Sequence, residues 1–115
     1  MYIAAAVLLL LFALMFFFGP QKPTLTGDEA RNMVAQGALL LDVRTPPEFS
    51  QGHVAAARNI PVADLAARAD TLGKKDQAIV VYCQSGARSG QAVKILERSG
   101  FTSVHNLGAI GRWTG

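Results

Sequence analysis

The chain has 115 residues, 50% of them apolar, with 11 Lys and Arg against 8 Asp and Glu and a formal net charge of +3. That length holds one small domain, and abundant Leu, Ile, Val and Phe with low net charge exclude a disordered chain. A single cysteine, Cys83, excludes an internal disulfide, and basic residues scattered among acids give no nucleic-acid patch, so no nucleic-acid partner is expected.

Met1 to Phe18 is wholly apolar, and every charged side chain lies after it. As a helix, Tyr2 to Phe18 rises roughly 26 Å, close to a hydrocarbon core of about 30 Å. Residues 1–18 therefore read as one transmembrane helix, touching membrane lipid through residues 2–18. A signal peptide, cleaved or left in place, is the alternative. It calls for small residues at the cleavage site, where Phe16 and Phe18 stand. Lys22 and Arg31 follow the apolar run and no Lys or Arg precedes it. The positive-inside rule then points to a single-pass membrane protein with a cytoplasmic domain, a periplasmic or exported domain being the other option. Residues 19–24 form a linker in which Pro20 and Pro23 stop the helix. Residues 25–115 form the domain.

Thr26-Gly27-Asp28-Glu29 reads as a capping box, followed by a helix with Ala30, Met33 and Val34 on one face and Gly37 at its end. Leu39 to Val43 is a continuous apolar run broken only by Asp42, suited to a strand buried on both faces. Thr45 to Phe49 opens a short helical turn, and Arg58 to Pro61 a second short strand. Val62 to Ala69 is helical. Ala78 to Tyr82 is the clearest strand, β-branched and uncharged. A further helix carries Ala92, Val93, Ile95 and Leu96, ends at Gly100, and precedes a last strand over Ser103 to Leu107. The alternation predicts an α/β fold with a mostly parallel sheet flanked by helices.

Cys83 directly follows the strongest strand and precedes a helix. Ligands of an open parallel sheet bind outside the carboxyl ends of its strands. A helix N-terminus there aims backbone N–H groups and a positive dipole at one point. Gly86 permits a tight turn, and Arg88 adds a permanent cation. All three favour thiolate over thiol. A fall in thiol pKa from about 8.5 to about 6.5 would raise the ionised share at pH 7 from roughly 3% to roughly 75%. A buried inert cysteine is the plainer reading, and the Gly and Arg that follow in a strand–loop–helix context argue against it. One Cys and two distant His give no zinc ligand set, so no metal site is read.

The stretch VVYCQSGARSGQAVKILERSGF resembles the active-site loop and following helix of the single-domain rhodanese family of sulfurtransferases. LLLDVRTPPEFSQGHVAAARNIP is similar to that family's first signature, with Asp42, Arg44, Glu48, Phe49, Gly52, His53 and Asn59-Ile60-Pro61 in matching places. The resemblance spans roughly residues 24 to 113. It departs at Ala56 and at Gly108-Ala109, where the family commonly has Gly.

The resemblance implies a rhodanese-like fold of about four to five strands and a catalytic Cys83. Cys83 would take a sulfane sulfur from a donor such as thiosulfate as a persulfide and pass it to a thiol or cyanide, with a sulfur-accepting protein as a further partner. Gln84, Ser85, Gly86, Ala87, Arg88 and Ser89 would bind the donor anion, and no metal or organic cofactor is needed. Asp42 would brace the active face, Arg44 and Glu48 would pair at the rim, and His53 would pack and hydrogen-bond. Arg58 has two readings: a place at the mouth, where it would help bind an anionic donor, and an exposed surface arginine, the plainer of the two. Two alternatives stay open: a persulfide carrier or binding module without catalysis, and a Cys-dependent phosphatase or arsenate reductase. Cys83 and Arg88 enclose Gln84 to Ala87; tyrosine and dual-specificity phosphatases enclose one residue more, which suits phosphate better.

Overall fold

The computed structural model describes residues 24–114. Helix α1 (Gly27–Ala35) starts at the expected capping box, in which the Thr26 hydroxyl accepts from the Glu29 amide and the Glu29 carboxylate accepts from the Thr26 amide. Strand β1 (Leu39–Asp42) leads to α2 (Pro46–Ser50), which a second capping box, Thr45 with Glu48, opens. Strand β2 (Arg58–Asn59) follows, then α3 (Val62–Arg68), β3 (Ile79–Cys83), α4 (Ala87–Arg98) and β4 (Val104–Ala109).

The four strands form one sheet in the order β2-β1-β3-β4, every neighbouring pair parallel. β3 is central and all five of its residues are buried, as its uncharged β-branched sequence requires. Side-chain alternation divides the core in two. Leu41, Ile79, Val81 and Cys83 face Leu65, Ala92 and Leu96 of α3 and α4. Leu40, Val80 and Tyr82 face Ala30 of α1, with Trp113 packed at the edge. Cys83 therefore shares its sheet face with α4, the helix that its own loop enters.

Two expected element ends shift. The helix predicted over Val62 to Ala69 ends at Arg68, and Ala69–Leu72 tightens into a 3-10 turn that tucks Leu72 into the core. The last strand runs to Ala109 rather than Leu107, because a bulge shifts the register so that Gly108 pairs with Tyr82 and Ala109 with Cys83. The anchor predicted at residues 1–18 lies outside the described residues, as do positions 19–23 of the linker. Among the described residues, no helix is long and apolar enough to cross a membrane.

Candidate active site

Cys83 is the last residue of β3, and its loop passes through Gln84, Ser85 and Gly86 into α4. Gly86 is the N-cap with φ +110°, a left-handed conformation that costs glycine nothing, and no side chain caps the helix. The amides of the first turn are thus left for the loop's own concavity. The Gly86 amide donates to Cys83 Sγ at 2.9 Å. Ser89 Oγ lies 3.4 Å from Sγ and donates to the Gly86 carbonyl at 2.9 Å. In the thiol form the S–H donates to that hydroxyl. On ionisation the hydroxyl rotates and donates to sulfur.

Cys83 and Ser89 have no exposed surface. Burial pushes the Cys83 thiol up, but hydrogen bonds from the Ser89 hydroxyl and from the Ser89, Gly86 and Ser85 amides outweigh it and hold the thiol below its ordinary value. The sequence reading named amides and Arg88 as joint causes. The amides and the Ser89 hydroxyl act on the sulfur through hydrogen bonds, and Arg88 adds a Coulombic attraction between its guanidinium and the Cys83 charge.

Arg88 turns its fork on Glu48 instead. Nη1 reaches Oε1 at 2.6 Å and Nη2 reaches Oε2 at 2.9 Å, a bidentate pair joining α4 to α2. The Arg88 guanidinium, with help from the Thr45 amide, holds the Glu48 carboxyl at about 2. Glu48 in turn raises Arg88, and the Cys83 charge adds to that shift.

The predicted Arg44–Glu48 rim pair is therefore replaced by two other pairs. Arg44 is 4% exposed and Asp42 fully buried. They lie two residues apart where β1 ends and the chain bends. The Asp42 carboxylate accepts from the Arg44 amide at 2.9 Å and from Arg44 Nε and Nη2 at 3.1 and 2.8 Å. Arg44 Nη2 also donates to the Gly52 carbonyl at 2.7 Å, and Nη1 donates to Gln84 Oε1 at 3.1 Å. The buried pair thus fixes the first loop residue after the nucleophile. Tyr82, raised first by burial and then by its hydrogen bond with Asp42, keeps its proton and accepts from the Val54 amide. Asn59 donates to the carbonyls of Asp42 and Arg44. Only the folded chain brings Tyr82 and Asn59 to Asp42 and Gly52 to Arg44, so no local signal marks them as supports.

Arg58 does not join the site. The parallel register sets it opposite Leu41, one step before the strand end, and its guanidinium donates to the Thr71 carbonyl and hydroxyl at 3.4 and 3.3 Å. His53 hydrogen-bonds the Phe49 carbonyl at 2.8 Å and stacks on the Phe49 ring, the packing role expected of it.

Gln84, Ser85 and Ala87 are exposed. A shallow depression of about 370 Å³ lies beside them, lined by Arg44, Glu48, Gln51, Gly52 and Gln84. A depression of the same volume between α3 and α4, lined by Val62, Ala63, Gln91, Lys94, Ile95 and Arg98, lies away from the Cys83 loop residues. The site therefore offers a buried sulfur held toward the thiolate, donors aimed at an anion, and a polar approach beside it.

The model of the rhodanese-like domain matches residues 26–115. The thiosulfate sulfurtransferase PspE of Escherichia coli (strain K12) is 41% identical over 71 residues, covering 61% of this chain and 68% of that protein. The human thiosulfate:glutathione sulfurtransferase is 32% identical over 106 residues, covering 79% of this chain and 92% of that one. Among solved structures, a human single-domain sulfurtransferase superposes with a TM-score of 0.72 at 31% identity, covering 82% of this chain and 96% of that chain.

Proposed function

The chain belongs to the rhodanese-like domain family, and from that premise we propose that it moves a sulfane sulfur from a small anionic donor to a thiol or cyanide through a persulfide on Cys83. It is an enzyme of the rhodanese sulfurtransferase type, as its relatives in Escherichia coli and Homo sapiens are. The observation that carries the persulfide step is the Gly86 amide on Sγ at 2.9 Å, at the start of a 12-residue helix.

In the first half-reaction the Cys83 thiolate attacks the outer sulfur of thiosulfate. The new Sγ–S bond forms as the donor's S–S bond breaks, and sulfite leaves with that electron pair. Three negative charges enter and three leave: thiolate plus dianion become persulfide anion plus dianionic sulfite. The loop amides that favour the thiolate also favour the persulfide anion, so they stabilise charge throughout the step. In the second half-reaction cyanide or a thiolate attacks the outer sulfur, and thiocyanate or a new persulfide departs while the Cys83 thiolate is restored. No proton transfer is needed at the sulfur in either half, which fits a site where, among the described residues, Sγ has hydrogen bonds with the Gly86 amide and the Ser89 hydroxyl and with no acid or base.

The loop length, Gln84 to Ala87 between Cys83 and Arg88, favours this reading over phosphate chemistry. The apolar run at residues 2–18 supports attachment of the domain to a membrane, with Lys22 and Arg31 favouring the cytoplasmic side.

The test is thiocyanate formation from thiosulfate and cyanide by the wild type and by Cys83→Ser, with intact-mass measurement after donor alone. The expected result is turnover that needs Cys83 and a gain of about 32 Da, one sulfur atom, on the wild type only. A sulfur adduct without turnover would identify a carrier. Equal background from both proteins with no adduct would overturn the proposal.

A further inference from the structure

Both arginines beside the Cys83 loop already hold a carboxylate: Arg44 is matched by Asp42 and Arg88 by Glu48. Within this group the formal charges cancel while Cys83 is a thiol, and the group becomes net negative when Cys83 ionises. The amides that face sulfur supply only partial charges. A dianionic donor therefore meets a thiolate whose two flanking guanidinium groups, those of Arg44 and Arg88, are both matched. The Arg88–Glu48 pair is about one-third exposed on each side, open to an incoming anion. Glu48 also lines the depression that Gln84 borders. A guanidinium fork that grips a carboxylate through two parallel bonds would grip a sulfonate the same way. Glu48 and the donor's sulfonate thus compete for one fork.

We infer that Glu48 is a specificity-determining residue that sets the charge of the preferred sulfur donor. By occupying Arg88 it disfavours dianions such as thiosulfate and favours sulfane donors with a single negative charge, such as organic thiosulfonates and alkyl persulfides. This inference rests on the sulfurtransferase reading and refines its substrate class. With a thiosulfonate the same bonds change: Sγ gains the outer sulfur, the donor's S–S bond breaks, and a sulfinate monoanion leaves with the electron pair. No further reactant is required.

Glu48→Gln removes the charge and keeps the helix cap. Glutamine at this position still serves the capping box with Thr45, because Gln and Glu fill it alike. The full chain is assayed with cyanide as acceptor and thiosulfate or benzenethiosulfonate as donor. In Glu48→Gln the KM for thiosulfate should fall about tenfold, while the KM for benzenethiosulfonate should change less than about threefold. Equal changes for both donors, or none for thiosulfate, would overturn the inference.

A second readout needs no turnover. Sulfite, the dianion that leaves in the first half-reaction, should protect Cys83 from iodoacetamide at about tenfold lower concentration in Glu48→Gln than in the wild type. Equal protection in the two proteins overturns the role of Glu48. If neither donor is turned over, the sulfurtransferase reading fails on its own, and the protection experiment still decides the competition for Arg88.

Discussion

Replacing Ser89 with alanine removes a single hydroxyl from a buried sulfur and leaves every loop amide in place. The hydroxyl lies 3.4 Å from Sγ and is, after burial itself, the foremost influence on the thiol. A hydrogen bond to a charged group is worth about 1.5–3 kcal/mol net, which corresponds to a roughly 10- to 150-fold change in the thiolate-to-thiol ratio. The amides of Gly86, Ser85 and Ser89 remain, so the lower end applies, and Ser89→Ala should lose about tenfold in thiolate population at pH values below its thiol midpoint. The assay is the rate of Cys83 alkylation by iodoacetamide between pH 5 and 10. The midpoint should move upward, the low-pH rate should fall about tenfold, and the high-pH plateau should stay within about twofold, since the plateau reflects fully ionised sulfur in either protein. A midpoint at or below that of the wild type would refute the claim that the Ser89 hydroxyl stabilises the thiolate.

Gly86→Ala forces a side chain into φ +110°, at about 1–2 kcal/mol, while its Cβ would meet only Gly108 Cα at an ordinary 3.9 Å. The melting temperature should drop by about 4–16 °C, and turnover should fall more steeply than that loss of stability accounts for. Asp42→Asn leaves the Arg44 charge buried without its carboxylate and should cost about 3–5 kcal/mol in denaturant unfolding; a loss below about 1 kcal/mol would show that the pair is not buried in solution. Arg58→Ala should leave the KM for thiosulfate within about twofold of wild type, because Arg58 bonds Thr71 away from the loop. The Glu48 carboxyl, held at about 2 against an ordinary 4.5, stabilises the fold fully above pH 4.5 and loses that effect as pH falls toward 2. The melting temperature of the wild type should therefore exceed that of Glu48→Gln at pH 6, and calorimetry should show the gap closing below pH 4.5.

Local signals carried much of the fold. Both capping boxes, the apolar run of β3 and the glycine that opens α4 are visible within a few residues, because each feature is made by neighbours along the chain. Cys83 and its loop were legible for the same reason. What the sequence misread depends on partners far apart. Glu48 and Arg88 are 40 residues apart, and nothing local distinguishes that match from Arg44 with Glu48. The Asp42–Arg44 pair is a local contact between residues two apart at the end of β1, where the Asp42 carboxylate also accepts from the Arg44 amide. The place of Arg58 is open in the sequence because a two-residue edge strand gives no register until β1 is beside it. The end of β4 was misplaced by a bulge, which inserts a residue that no periodicity announces.

Tyr82 and Cys83 are consecutive, and the strand sends one to each layer of the molecule. A slip of β3 by one residue would exchange them, placing a phenol at the mouth of α4 and the sulfur among the side chains of α1. Such a molecule could keep its helices and its circular dichroism and still move no sulfur. The register of β3, set by five buried side chains, is therefore also what points the sulfur into its loop.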